Sequence, residues 1–189
     1  MQRRTLSLLA ALMATLPFAS HADTMDYTYA GLDYVDTEDD DLDLDGDGFA
    51  LRGSVGFLNN FFAFASYEDI GYDFDIDATL LKVGVGGHWP LNEKIDLVGH
   101  AGIVNADFEV GNNDFDDDGI LLGARLRSQI MPKLEVEGGF DYIDLDDLGD
   151  DTSIVLEGRY FFMDQLAGGL LLQFGGDVQT IGVNMRVTF

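Results

Sequence analysis

From Asp23 to the C-terminus the chain alternates apolar residues with polar or small ones at a period of two, segment after segment, and helical spacing of apolar residues is absent. That alternation marks strands whose two faces meet different surroundings. Phe49, Leu51, Val55 and Phe57 share one face while Ala50, Arg52, Ser54 and Gly56 share the other. Leu81, Val83, Val85 and Trp89 oppose Lys82, Gly84, Gly86 and His88 in the same way, and Leu156, Tyr160 and Phe162 oppose Glu157 and Arg159. The last segment sets Ile181, Val183, Met185, Val187 and Phe189 against Gly182, Asn184 and Arg186. The periodicity predicts ten strands, at 25–36, 48–57, 61–68, 78–89, 95–106, 119–130, 134–143, 153–162, 166–174 and 179–189; merging one hairpin gives an eight-stranded alternative. Strands of roughly 9 to 11 residues are what a tilted strand needs to cross a bilayer.

The intervening segments alternate in character. Those at 37–47, 69–77, 107–118 and 144–152 read as longer acidic loops, with a short one at 175–178, whereas Leu58–Asn60, Pro90–Lys94, Met131–Lys133 and Met163–Gln165 read as tight turns. Long loops at one rim and tight turns at the other are the asymmetry of outer-membrane barrels. The apolar face ends near the tight turns in Phe57, Trp89, Phe162 and Phe189, a ring of aromatics interrupted by Ile130. The other face carries Arg52, Lys82, Arg125, Arg127, Arg159 and Arg186 beside Asp96, Glu135, Glu137, Asp141 and Glu157, charges that a narrow lumen can hold if they pair. An open sheet edge in hydrocarbon would leave backbone groups unpaired at several kcal/mol each, so the first and last strands have to meet. The predicted fold is all-β, a closed up-and-down antiparallel transmembrane β-barrel embedded in outer-membrane lipid.

Residues 1–22 stand apart. Arg3 and Arg4, the apolar run Leu6–Leu16 and the small-residue site Ser20-His21-Ala22 compose a secretory signal peptide, which leaves 23–189 as the barrel. Composition narrows the remaining choices. With 35 acidic against 10 basic residues and a net charge of −25, the chain lacks the basic face that nucleic acid requires. It has no cysteine, so disulfides and thiolate chemistry are out. No cofactor is expected.

The segment Gln179–Phe189, ending in an aromatic with apolar residues at every second position before it, resembles the C-terminal insertion signal of bacterial outer-membrane proteins. That resemblance implies recognition by the barrel assembly machinery, with Phe189 as the terminal aromatic. The phrases Tyr27-Thr28-Tyr29, Gly48-Phe49-Ala50-Leu51-Arg52-Gly53-Ser54-Val55, Phe62-Ala63-Phe64-Ala65-Ser66-Tyr67 and Val83-Gly84-Val85-Gly86-Gly87-His88-Trp89 resemble a family of small proteobacterial outer-membrane barrels, members of which have been discussed as secreted signals and vesicle cargo. The resemblance implies location and carries no active site.

Candidate chemistry is sparse. Asp41, Asp43, Asp45 and Asp47 match the first half of a calcium loop, and Asp114, Asp116 and Asp118 repeat its spacing. Arg52 and Arg125 stand at the two twelfth positions, where an EF-hand has Glu, so only a looser divalent-cation (calcium or magnesium) site is expected. Eight carboxylates between Asp36 and Asp47 form a field that attracts cations, whether for divalent bridging to lipid phosphates or as an adaptation to salinity. An enzyme would have to use His88 or His100, since His21 leaves with the leader, and neither has a serine two positions away. Gly84-Val85-Gly86-Gly87 precedes no helix and reads as crowded strand backbone. The expected role is non-enzymatic, structural or interactive; a narrow cation-selective channel and a soluble secreted signalling protein are the alternatives.

Overall fold

A computed structural model describes residues 25–39, 44–74, 76–111 and 113–189. The expected signal peptide, Asp41 and Asp43 lie outside them. The strands are β1 (Tyr29–Asp39), β2 (Leu44–Phe57), β3 (Phe61–Tyr72), β4 (Ile76–Asn92), β5 (Ile95–Val110), β6 (Asn113–Met131), β7 (Leu134–Leu145), β8 (Gly149–Met163), β9 (Leu166–Gly175) and β10 (Val178–Thr188). Each pairs antiparallel with its chain neighbours, and β1 pairs with β10 from Tyr29↔Thr188 to Asp39↔Val178, closing the ring. The ten-stranded, closed, up-and-down barrel is the predicted fold, and the eight-stranded alternative falls away.

Face parity decides the environment of every side chain, because a slip of one residue would turn a whole strand inside out. Val85 is 57% exposed and Ile181 59%, both on the outer wall, while Asp33, Arg127, Glu157 and Arg159 inside are 1–3% exposed. An outer surface this apolar around an ionic interior suits lipid, not water, which rules out the soluble secreted alternative. Aromatics cluster at both ends of the belt. Phe57, Phe61, Trp89, Tyr160 and Phe162 are exposed toward the rim with the tight turns, and Tyr34, Phe49, Tyr67, Phe140 and Phe174 toward the opposite rim.

Three differences from the sequence reading have physical reasons. First, the acidic segments read as long loops are largely strand. Residues 44–47, 107–110, 113–118 and 149–152 lie within β2, β5, β6 and β8, and the links at this acidic rim shrink to 40–43, 73–75, 111–112, 146–148 and 176–177. Period-two alternation persists through the acids, as in Asp114-Phe115-Asp116, and above the lipid a ladder continues wherever its neighbour supplies partners. Secondly, the wall has uneven height. β7 pairs with β6 only up to Gly119↔Leu145, and past the Asp146 N–H bond to the Asp118 carbonyl the β6 backbone from 113 to 117 ladders with β5 alone. Asp117 braces the lower neighbour there, its carboxylate accepting the backbone N–H groups of Asp147 at 3.1 Å and Leu148 at 3.0 Å. Thirdly, β1 begins at Tyr29, four residues later than expected, because Met25–Thr28 turn into the barrel mouth.

The turns at the other rim are where the sequence reading has them but tighter, because Pro90–Asn92, Met131 and Met163 belong to the ends of β4, β6 and β8. Leu58 and Asn59 adopt positive φ of 50° and 63° to reverse the chain in three residues. Register shifts at Pro90/Asn92, Gln129/Met131 and Phe161/Met163 end β4, β6 and β8 at that rim, the first at a proline that cannot donate to the ladder.

The belt predicts a depth-dependent cost for charge. Val85→Arg should destabilise the barrel by about 2–4 kcal/mol, and Asp77→Arg, beyond the aromatic collar on the same strand face, by about 0–1 kcal/mol. Urea unfolding in phospholipid vesicles measures both, and equal costs would contradict the assigned belt.

Candidate functional site

The lumen divides into an aromatic half and an ionic half. The inward rings of Phe62 and Phe64 on β3 and of His100 on β5 lie across glycines of β4 and β6: a Cβ on Gly86 would stand 2.2 Å from the Phe62 ring, and one on Gly123 would stand 2.3 Å from His100. Backbone without side chains is therefore the space those rings occupy. This accounts for Gly84 and Gly86 of the Gly84–Gly87 run.

The ionic half centres on Arg159 of β8. Its Nε donates to Glu157 Oε1 at 2.8 Å, and Nη1 and Nη2 donate to Glu137 Oε2 at 3.2 and 3.1 Å. It also pairs closely with Glu135 and with the second oxygen of Glu157. Glu157 in turn accepts from Arg52 of β2 at 3.0 and 3.2 Å and from Asn184 of β10 at 2.8 Å. Arg52 grips Asp33 of β1 with a two-pronged contact of 2.6 and 2.7 Å, so β2 is tied both to its neighbour and across the lumen to β8. A planar guanidinium fits this bidentate role where an ammonium would not.

Two further groups flank the hub. Arg125 of β6 binds Asp141 at 2.5 Å and Glu137 at 3.2 Å, and Asp141 also meets His100 Nε2 at 3.1 Å. Nearer the tight turns, Arg127 donates to Glu135 at 2.8 Å, and Arg186 lies 3.5 Å from the same carboxylate. Lys82 of β4 stands higher and pairs with Glu68 of β3 at 2.9 Å. Arg52, Lys82, Arg125, Arg127, Arg159 and Arg186 thus each meet a carboxylate inside the barrel, Glu135, Glu137, Asp141 and Glu157 among the partners. Sequence reasoning missed Asp33 and Glu68. Both follow from strand parity, Asp33 being flanked by the outward Leu32 and Tyr34. A cavity of about 200 Å³ remains between the halves, bordered by Asp33, Arg52, Lys82, His100, Leu121 and Leu171.

The remaining candidates lie outside the wall. Asp45 and Asp47 sit at the acidic end of β2 on the lipid-side face, directly opposite Glu38 and Asp36. Asp114, Asp116 and Asp118 occupy the same face of β6, opposite Glu109, Asp107 and Asn105. Instead of curling around a central point, they lie in a row at strand spacing. Among the described residues no group of three His, Asp or Glu side chains is placed to hold a metal ion. What the register creates is facing like charge, Asp36 on Asp47, Asp107 on Asp116, Glu109 on Asp114 and Asp144 on Asp150, an arrangement unfavourable by itself.

A lipid-facing belt, a paired ionic lumen and a closed ring define an integral outer-membrane β-barrel. The chain belongs to the outer membrane protein beta-barrel domain family, which matches residues 5–162. Among solved structures it is similar to the COG4313 outer membrane channel from Pseudomonas putida F1, with a TM-score of 0.52 and 10% identity over 93% of this chain and 100% of that one. It is also similar to the NanC porin, with a TM-score of 0.50 and 8% identity over 85% and 98%. At these identities the likeness is one of fold. No curated protein matches the sequence.

The network predicts a large cost for removing one member. Glu157→Leu leaves Arg52, Arg159 and Asn184 facing an absent acceptor, and should destabilise the barrel by about 3–5 kcal/mol. Chemical denaturation in detergent micelles checks this; a loss below 1 kcal/mol would mean that water replaces the carboxylate freely.

Proposed function

We propose that this protein is a closed structural and interaction element of the Gram-negative outer membrane, presenting a carboxylate-rich rim to the exterior. The short turns share one rim with Phe189 and with Met25, where the described residues begin, and we assign that rim to the periplasm. The observation that carries the reading is the cross-lumen tie from Arg52 through Glu157 to Arg159, which spans the section through which an ion would pass. The histidines do not suggest catalysis: His100 is held by Asp141 and lies edge-on to Phe64, and His88 is stacked on Tyr27. The terminal Phe189, whose N–H donates to Thr28 at 3.0 Å, serves in this reading as the signal to the barrel assembly machinery.

A cation channel is the competing reading, since the two similar structures are named as a channel and a porin. Planar-bilayer recording separates the two. The closed reading expects no steady current at moderate voltage; a cation-selective current that disappears when Glu68 and Asp33 are neutralised would overturn it.

The rim acts as a loose binder of divalent cations. Facing carboxylates repel across the ladder, and a calcium or magnesium ion between them, or between them and anionic lipid phosphates, relieves that repulsion. Millimolar calcium should raise the unfolding temperature more than sodium chloride of equal ionic strength does, and Asp107→Asn with Asp116→Asn should remove the excess. No difference between the salts would reject divalent binding.

A further inference from the structure

Ahead of β1, Met25–Thr28 leave the ladder and dock inside the periplasmic mouth. Asp26 Oδ1 accepts the Thr28 N–H at 2.8 Å, which bends the chain inward. The Tyr27 ring stacks on His88 with centroids 4.0 Å apart and on Phe62 at 5.2 Å, and the Arg127 guanidinium lies 4.6 Å from its centre. Its hydroxyl donates to Asp96 at 2.9 Å, and the residue is 7% exposed. The Asp26 carbonyl accepts from Arg127 at 3.0 Å and from Arg186 at 2.7 Å. Thr28 Oγ1 receives the Gly56 N–H, and its carbonyl receives that of Phe189, both at 3.0 Å.

These partners sit on β2, β3, β4, β5 and β6 and at the end of β10. No single hairpin assembles the receptor. It is complete only when the last strand has met the first, because Arg186 and Phe189 come from one side of that seam and Gly56 from the other. The docked carbonyl and ring also relieve an electrostatic crowd: Arg127, Arg159 and Arg186 share Glu135, and the Nε groups of Arg127 and Arg186 are buried without acceptors. We infer that Met25–Thr28 form a closing latch, a segment that engages the finished barrel, seals its periplasmic mouth and slows reopening of the β1–β10 seam. This does not depend on whether the lumen conducts, so bilayer recordings leave it standing or falling on its own test.

The chain has no cysteine, so Val98→Cys, in the buried cluster with Tyr27 and Phe62, gives a single reporter thiol. In the refolded full-length barrel, adding Tyr27→Ala should speed its labelling by a charged methanethiosulfonate roughly ten-fold, as loss of a buried stacked ring implies. Tyr27→Phe, which keeps the stacking and loses only the Asp96 bond, should fall between, and it carries the test if the alanine variant does not fold. Kinetics separate a latch from an ordinary core residue. Tyr27→Phe should accelerate unfolding and leave the folding rate unchanged, because the contact forms after the transition state. Equal labelling rates with and without the Tyr27 substitutions, or slower folding at an unchanged unfolding rate, would overturn the inference.

Discussion

Arg159 cannot face lipid, and in a ten-stranded cylinder it cannot reach bulk water either. The barrel therefore has to supply its counter-charges from within, and three carboxylates on β7 and β8 do so. The hydrocarbon imposes both halves of this arrangement. It demands a closed ladder, because unpaired backbone groups are costly there, and it drives every ionic side chain inward, where only mutual pairing offsets desolvation. The parity of each strand, the crowding of glycines under aromatic rings and the ties between distant strands follow from those two demands.

Paired charges give geometry more than energy. Well-packed apolar groups could fill the same section at similar free energy, whereas a single unpaired ion there is expensive. The network thus favours one register of β2 against β8, since Arg52 reaches Asp33 and Glu157 together only from its present position. Aromatic packing does the same for the opposite wall, where Phe62 and Phe64 fit only over glycine.

Much of this was legible in the sequence because the bilayer writes a period of two into every strand. Arg125, Arg127 and Arg159 could be assigned to the interior from their apolar neighbours alone. Strand ends were harder. Asp114, Asp116 and Asp118 looked like loop because acids are scarce in strands, yet above the lipid a ladder needs only a neighbour, and β5 provides one. Tyr27 was legible only in part: parity puts it on the inner face with Tyr29 and Asp33, but its departure from the ladder to pack against His88 and Arg127 shows only in the three-dimensional mouth. Asp33 was recoverable, since parity puts it on the inner face between the outward Leu32 and Tyr34, in diagonal reach of Arg52, which lies opposite Gly31.

The stepped wall has a consequence for how the cell is seen. The β5–β6 hairpin continues for several residues past the end of β7, and each adds about 3.3 Å of strand. On the β9–β10 side the chain turns back sooner. An antibody or phage approaching through the sugar layer would encounter one narrow blade, Asp107 to Asp118, rather than a crown of loops. Sequence change visible to such an adversary should gather on that blade, leaving the opposite flank sheltered among the lipid headgroups.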